Sequence, residues 1–153
     1  DMLVDARSQI RLLVVAFANF LSHYSQSKDG GIGHSYLLTD QDRLEPLEGQ
    51  MNRVLIDQVW AIRALTAAGQ VLKMNIYKWA ALDAFNFMNR QLWDEQTAFY
   101  REGEAAASKP PKFDELVLTL RTLQGLRAEM QEENRQQWDA IVQIWLKGLN
   151  TLR

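Results

Sequence analysis

The sequence lacks the residues from which disulfides and many metal sites are built. It contains no cysteine, which excludes disulfides, thiolate nucleophiles and cysteine-ligated metals. Its two histidines, His23 and His34, are separated by a Gly-Gly turn and cannot form a metal-binding pair on one helix. We therefore predict neither a metal site nor a cofactor. A cysteine-free chain is compatible with reducing and with oxidising compartments, so both a cytoplasmic and an exported protein are possible. In both cases we expect the protein to be soluble.

An excess of charge of one sign and a long apolar run are also missing. The chain has 17 Lys and Arg residues against 19 Asp and Glu residues, a net charge of -2, and its basic residues are scattered. This pattern argues against a surface for nucleic acid. The longest apolar stretch, residues 12–21, contains Asn19 and is shorter than the roughly 18 residues that a membrane span needs. The sequence therefore predicts neither a nucleic-acid partner nor a membrane span.

Proline and glycine are few, and they divide the chain into helical patterns. Three prolines and eight glycines occur in 153 residues, of which 47% are hydrophobic, enough for the core of one domain. Residues 29–31 (Asp-Gly-Gly) end the first pattern, and Pro110-Pro111 prevents a helix before Phe113. Apolar residues at three- and four-residue spacing predict five helices. These cover about residues 3–26, 52–72, 76–93, 113–130 and 133–149, with Asn52 and Asn75 as caps, and extended pieces are predicted at 32–38 and 98–101.

A repeat with a period near 58 residues relates these helices to one another. Residues 57–65 recur at 115–123, and residues 79–82 recur at 138–141. In the first pair an acidic residue opens each copy, an arginine follows six positions later and a leucine eight positions later. One such hairpin cannot bury its apolar face alone, so repeated hairpins stack. We predict an all-α fold of antiparallel helical hairpins, either a partial (α/α) toroid or an α-solenoid.

The repeat also predicts about two and a half hairpins in a single domain spanning residues 1–153. The first helix corresponds to the second member of a hairpin, because Asp29 and Tyr36 follow it much as Asp94 and Tyr100 follow the third helix. Its apolar face therefore lacks a first-member helix. We expect this face to bind another protein chain or a second copy, or to belong to a larger toroid of which this chain is a fragment. The face consists of Ile10, Leu13, Val14, Phe17, Phe20 and Leu21.

Repeat-equivalent apolar positions are predicted to form the core. They are Val59, Ile62, Leu65, Val117, Leu120 and Leu123, together with Trp79 and Trp138. Five tryptophans are many for this length, and four of them lie at the spacing of core residues on helices. We therefore expect those four side chains, Trp60, Trp79, Trp138 and Trp145, to pack inside, unless an aromatic platform for carbohydrate uses one of them.

Several segments occur in an order that is typical of one family. Asp29-Gly30 ends a helix, residues 34–36 (His-Ser-Tyr) are extended, residues 56–61 begin a helix, and residues 92–94 (Leu-Trp-Asp) precede Phe99-Tyr100. Together they resemble the helical-toroid, or (α/α)6-barrel, proteins of the six-hairpin glycosidase type, in particular the toroid part of the thioredoxin-fused spermatogenesis-associated protein 20 family. The resemblance implies a toroid fold and, for an enzyme, glycosidase or sugar-epimerase chemistry. The chain differs in having Thr-Ala in place of Gly-Gly before Phe99, and in lacking a cysteine pair.

Asp57 and Glu115 are the candidate catalytic residues. They are repeat equivalents at the starts of the second and fourth helices, and two carboxylates facing one cavity would suit glycoside hydrolysis. The alternative is that both acids only stabilise the positive ends of their helices. Arg63 and Arg121 follow them by six residues and are candidates either for binding a carboxylate or for ion pairs between hairpins.

Six further residues near helix ends are candidate ligand contacts. They are Trp60, His34, Tyr36, Asp114, Trp93 and Tyr100. Trp60 follows Asp57 by almost one helical turn and would offer a stacking face to a sugar ring, and His34 would act as a base or a hydrogen-bonding group. The alternative is that the aromatic residues pack in the core and that His34 is a hydrogen-bonded loop residue.

Two functions are compatible with these observations. The first, which we prefer, is a non-catalytic toroid segment that acts as an interaction or accessory module in a larger assembly. The alternative is part of a glycosidase- or sugar-epimerase-like toroid enzyme that acts on carbohydrate. Because folds of this type host sites of many kinds, only the arrangement of the candidate residues can decide between them.

Overall fold

The computed structural model describes residues 2–38, 40, 44–46, 53–104 and 111–151, and the described part is built mainly from helices. The helices are α1 (Met2–Asn19), α2 (Leu55–Leu72), α3 (Asn75–Phe87), α4 (Phe113–Leu126) and α5 (Glu132–Thr151). Strand β1 (Tyr36–Leu38) pairs with β2 (Leu44–Pro46), and β3 (Trp93–Asp94) pairs with β4 (Phe99–Tyr100), both antiparallel. The predicted all-α fold of five main helices is therefore confirmed, and both extended pieces are present as short strands.

Two of the helices end in the same unusual way. Helix α1 widens into a π-helical turn at Phe20–Ser25, and α3 widens into one at Met88–Leu92. Extended backbone follows both turns. Such a shared ending supports the prediction that α1 and α3 occupy equivalent places in the repeat.

Helix α2 lies at the centre of the fold and packs against α1, α3 and α4. Only two residues join it to α3. The first of them, Lys73, adopts a left-handed backbone with φ of 57°, and its N–H donates to the Gly69 carbonyl. So short a connection returns the chain directly beside α2 and makes the first hairpin.

The asparagine cap predicted for α3 is not formed. Asn75 is the first residue of α3 rather than its cap, since Met74 precedes it with extended backbone and makes no side-chain cap. Helix α2 begins at Leu55, and the residue before it, Val54, has no capping side chain either. Asn52 lies outside the described residues.

The core predicted from the repeat is largely confirmed. Val59, Ile62, Leu65, Leu123 and Trp138 are fully buried. Val117 and Leu120 are half-buried, which fits their position on the flank of α4. Arg53 reinforces the base of this core, because its guanidinium lies over the ring of Phe87 and also pairs with Asp29 and Glu104.

The prediction that Trp79 is buried is wrong, since 62% of its surface is exposed. Helix α3 instead turns Ala80, Ala81 and Ala84 towards the core. These small side chains let the α3 backbone approach α2 closely, and this rotation directs Trp79 to the surface. Trp60 on α2 is also exposed rather than part of the core.

Helix α5 attaches to the rest of the molecule through its two indoles. Trp138 and Trp145 meet edge to face at 6.1 Å, and Trp145 stacks on Phe99 at 5.9 Å. The Trp145 Nε1–H donates to the Ala98 carbonyl at 2.6 Å. An ion pair of 2.7 Å between Arg127 and Asp139 joins the end of α4 to α5. The two indoles therefore set the distance between α5 and the core.

None of the helices in the described part of the chain is long and apolar enough to cross a membrane.

Candidate ligand cleft at the start of helix α2

The segment between α1 and β1 is held against α2 by one buried amide. The Ile32 N–H donates to Gln58 Oε1 at 2.7 Å, and Gln58 Nε2 donates to the Ile32 carbonyl at 2.7 Å. Gln58 is fully buried, so this side chain pairs with the loop as a neighbouring strand would. The arrangement carries the residues that follow Ile32 over the first turn of α2.

The loop brings His34 to the side chain of Asp57. His34 Nδ1 lies 2.6 Å from Asp57 Oδ2, a distance that indicates a short hydrogen bond, and the imidazole is exposed while the carboxylate is half-buried. An imidazole oriented by a carboxylate is an arrangement that general acid–base chemistry uses. The same hydrogen bond also fixes the loop against the first turn of α2.

A cleft of about 400 Å³ surrounds this pair. Trp60 forms one exposed wall, and Phe20 and Ile32 belong to the apolar lining. Tyr36 also lines the cleft, but its hydroxyl group is fully engaged. It donates to the Ser25 carbonyl at 2.7 Å and accepts hydrogen bonds from Ser25 Oγ at 2.9 Å and from a backbone N–H at 3.1 Å. Tyr36 therefore shapes the cleft, and its ring is the part available to a ligand.

The structure brings together four of the residues selected from the sequence. His34, Tyr36, Asp57 and Trp60 line one cleft. The described lining of that cleft includes neither Asp114 nor Glu115. The Glu115 carboxylate accepts a hydrogen bond from the Lys112 N–H at 3.2 Å, as expected for an acid in the first turn of a helix.

Trp93 and Tyr100 lie elsewhere, in the aromatic cluster beneath α5. Their ring centroids are 5.2 Å apart, and the Tyr100 ring lies 6.1 Å from that of Trp145. Tyr100 is fully buried, which raises the pKa of its phenol, and its hydroxyl donates to Asn89 Oδ1 at 2.6 Å. In this structure both residues join β3 and β4 to the core, away from the cleft at Asp57.

Gln58 is the residue of this region that the sequence interpretation missed. A signal for it was present, because its repeat equivalent, Leu116, is apolar. A polar residue at a position that the repeat otherwise makes apolar indicates a buried polar contact special to one copy.

A second cleft of about 350 Å³ runs along α1 and continues into the first. Ile10, Leu13 and Phe17 project into it from α1, with 61%, 58% and 67% of their surfaces exposed. Small residues, Ala64, Ala67 and Ala68, and the exposed Val71 form the α2 side. Leu21 and Ala64 line both clefts, so an apolar groove leads to the His34–Asp57 pair.

No group of three or more potential metal ligands occurs among the residues that the structure describes. The described lining of the Asp57 cleft contains one carboxylate, one imidazole and one exposed indole. No family model, no curated protein and no solved structure was found to match this chain.

Proposed function

We propose that this chain is a non-catalytic helical-hairpin segment, part of an (α/α) toroid arrangement, that acts as an interaction module. The groove between α1 and α2 receives an amphipathic helix of another protein chain. The exposed apolar face of α1 is the observation that carries the proposal. Ile10, Leu13 and Phe17 are each more than half exposed, and they lie on one stripe of the helix.

The shape of the groove supports the proposal of a helical occupant. Large side chains at positions 10, 13 and 17 form a ridge on α1, and alanines at 64, 67 and 68 leave a shallow wall on α2. Helix packing places ridges of one helix into grooves of another, and small residues allow the closest approach. An occupant with large apolar residues at three- and four-residue spacing would fill this space.

The repeat supports the same proposal. Helix α4 packs on one flank of α2, and the α1–α2 groove lies beside another part of α2 that includes Ala64 and Val71. In a hairpin array this second place belongs to a first-member helix equivalent to α2 and α4. The partner is therefore an amphipathic helix with the apolar stripe of a first-member helix, supplied by another chain.

A peptide titration tests this function. The probe is a labelled synthetic peptide with the α4 sequence, the more amphipathic first-member helix of the chain. We expect it to bind the wild type and to bind Leu13→Asp or Phe17→Asp at least ~10-fold more weakly, because a charge would be buried in an apolar groove. Leu12→Asp is the matched control, since Leu12 is equally exposed on α1 but does not line the groove.

Light scattering over a range of protein concentrations completes the test. Self-association that Leu13→Asp abolishes would identify a second copy as the occupant instead. The proposal fails if the peptide does not bind, or if Leu12→Asp and Leu13→Asp behave alike.

The His34–Asp57 pair beside the exposed Trp60 favours a second candidate, part of a carbohydrate-active toroid enzyme. An indole face and a carboxylate at the mouth of one cleft suit a sugar ring and its hydroxyls. A screen of monosaccharides and oligosaccharides against wild type, Asp57→Asn and Trp60→Ala tests it, with the exposed Asp114→Asn as control. Turnover that disappears only in Asp57→Asn would establish the enzyme and overturn the non-catalytic proposal.

A further inference from the structure

A third groove, of about 290 Å³, lies between α2 and α4 and is different in character from the other two. Its described lining carries two positive charges and no acidic side chain. Six of the residues that line it matter here. They are Arg63, Thr66 and Gln70 on α2, and Arg121, Thr122 and Gly125 on α4.

The two arginines have no acidic partner within the described part of the chain. Arg63 and Arg121 are both exposed, and neither makes an ion pair with a described residue. By contrast, Arg53, Arg127 and Arg135 all pair with carboxylates. The Arg63 guanidinium carbon lies 5.5 Å from the centre of the Trp60 ring, a contact that orients the side chain without neutralising it.

Two threonines that line this groove carry hydroxyl oxygens that are buried, are not themselves exposed to the groove, and have no hydrogen-bond partner. Only 7% of Thr66 and 6% of Thr122 is exposed, and the Oγ1 atom of each is unpaired. Thr119 shows the usual solution, because its Oγ1 donates to the Glu115 carbonyl one turn earlier at 2.7 Å. Buried hydroxyls without a partner are rare in folded proteins, and they often indicate a missing ligand or water.

The α4 side of the groove is left open by Gly125. A Cβ atom added at this position would meet no heavy atom within 4 Å. Gly125 is the penultimate residue of α4, and it is exposed. It leaves free the space beside Thr122 and Arg121.

From these observations we infer that the α2–α4 groove binds a small oxyanion, the carboxylate or phosphate group of a metabolite-sized ligand. Arg63 and Arg121 supply forked donors that match the geometry of both anions. Rotation of either threonine side chain about its Cα–Cβ bond exchanges the positions of the methyl and hydroxyl groups and turns the hydroxyl towards the ligand. Threonine in a helix accommodates both rotamers. The Gln70 amide is a further donor at the rim. This site shares one described lining residue, Ala67, with the helix-binding groove proposed above, and it opens on the other side of that residue, between α2 and α4.

Isothermal titration calorimetry with inorganic phosphate and with succinate, at low ionic strength, tests the inference. We expect one of the two anions to bind the wild-type chain, and the preferred anion distinguishes a phosphate ligand from a carboxylate ligand. Arg63→Gln and Arg121→Gln should each lower the association constant at least ~10-fold, the loss expected for a charged hydrogen bond. Arg11→Gln, which removes an exposed arginine of α1 outside the groove, should bind as the wild type does.

Two further variants separate a binding role from a structural one. The double change Thr66→Val and Thr122→Val removes both unpaired hydroxyls at constant volume. It should weaken binding at least ~3-fold while the thermal unfolding midpoint stays or rises. In Gly125→Leu the new side chain occupies open space in the groove without a clash, and leucine has a higher helix propensity than glycine. This change should therefore abolish binding without lowering the unfolding midpoint.

Three results would overturn the inference. The first is that neither anion binds at millimolar concentration. The second is that Arg63→Gln and Arg121→Gln bind as tightly as Arg11→Gln does. The third is that Gly125→Leu, shown to be folded by circular dichroism, binds the anion as the wild type does.

Discussion

Gln58 and Ile32 exchange two hydrogen bonds of 2.7 Å, one through each end of the Gln58 amide. The contact joins a helix to a loop 26 residues away in the chain, and it is shielded from water. It is therefore the connection that places His34 above Asp57. Without it, the loop would have no buried polar contact to α2 at this point among the residues described.

Replacing Gln58 by leucine, the residue at the equivalent repeat position, should destabilise the protein by about 2–4 kcal/mol. The change leaves the Ile32 N–H and carbonyl buried without partners, and each such group costs about 1–3 kcal/mol. Urea unfolding monitored by circular dichroism gives the free energy of unfolding. Gln70→Leu on the exposed side of α2 is the control and should change it little. Equal effects of the two changes would contradict the role assigned to Gln58.

Truncation of Leu65 or Leu123 to alanine should lower the free energy of unfolding by about 2–5 kcal/mol. Both side chains are fully buried between the packed helices, so each change leaves a cavity. Trp79→Ala removes a larger side chain from an exposed position and should cost less than about 1 kcal/mol. Thermal and chemical unfolding of the three variants checks this order. A loss for Trp79→Ala as large as the others would show that this indole is not at the surface.

Ala98→Gly should stabilise the protein by about 0.5–1 kcal/mol. Ala98 has a φ of 56°, in the left-handed region, where a Cβ atom costs roughly 1–2 kcal/mol. Part of the gain is offset, because glycine increases the entropy of the unfolded chain by about 0.5–1 kcal/mol. Thr97→Gly, at a residue whose φ is negative, should only destabilise. A higher unfolding midpoint for Ala98→Gly and a lower one for Thr97→Gly is the expected result.

The free energy of unfolding should fall as the pH decreases and the Asp29 carboxylate becomes protonated. Partial burial opposes the shift, but hydrogen bonds from Arg53 and from the Gly31 N–H hold the pKa of Asp29 below its ordinary value of 3.8. The unfolded chain therefore takes up this proton at a higher pH than the folded chain does. The contribution is present above about pH 5 and is lost as the pH falls through the lowered pKa.

Asp29→Asn tests this dependence directly. The difference in unfolding free energy between wild type and variant should be largest near neutral pH and should shrink towards about pH 3. Asp114→Asn is the control, because that carboxylate is exposed and makes no ion pair with a described residue. Urea unfolding at several pH values measures both. A difference for Asp29→Asn that does not change with pH would contradict the assignment.

The helices could be predicted from the sequence because they depend on local information, and the repeat indicated which of them are equivalent. Apolar spacing identified five helices, and residues 29–31 marked the end of the first helical pattern. The recurrence of 57–65 at 115–123 identified α2 and α4 as equivalent helices, and in the structure they pack together. The predicted linker of three residues after Leu72 implied a hairpin, and in the structure the connection is two residues long.

The sequence located only part of the candidate cleft. His34, Tyr36, Asp57 and Trp60 line it together. The repeat predicted that Asp57 and Glu115 would face one cavity. Of the two, only Asp57 lines this cleft. A repeat describes helices and not the path of the segments between them, and the loop that covers the start of α2 follows its own path.

The sequence by itself determined which segments are helical and which of them are equivalent, since periodicity and turn residues act over a few positions. Only the tertiary structure decided how each helix is rotated and what its flanks meet. Trp79 and Trp138 are repeat equivalents, but one is exposed and the other buried, because alanines let α3 approach α2 closely while indoles set the distance to α5. The rotation of a helix about its own axis depends on the side-chain volumes of the neighbouring helices. Those side chains come from residues distant in the chain.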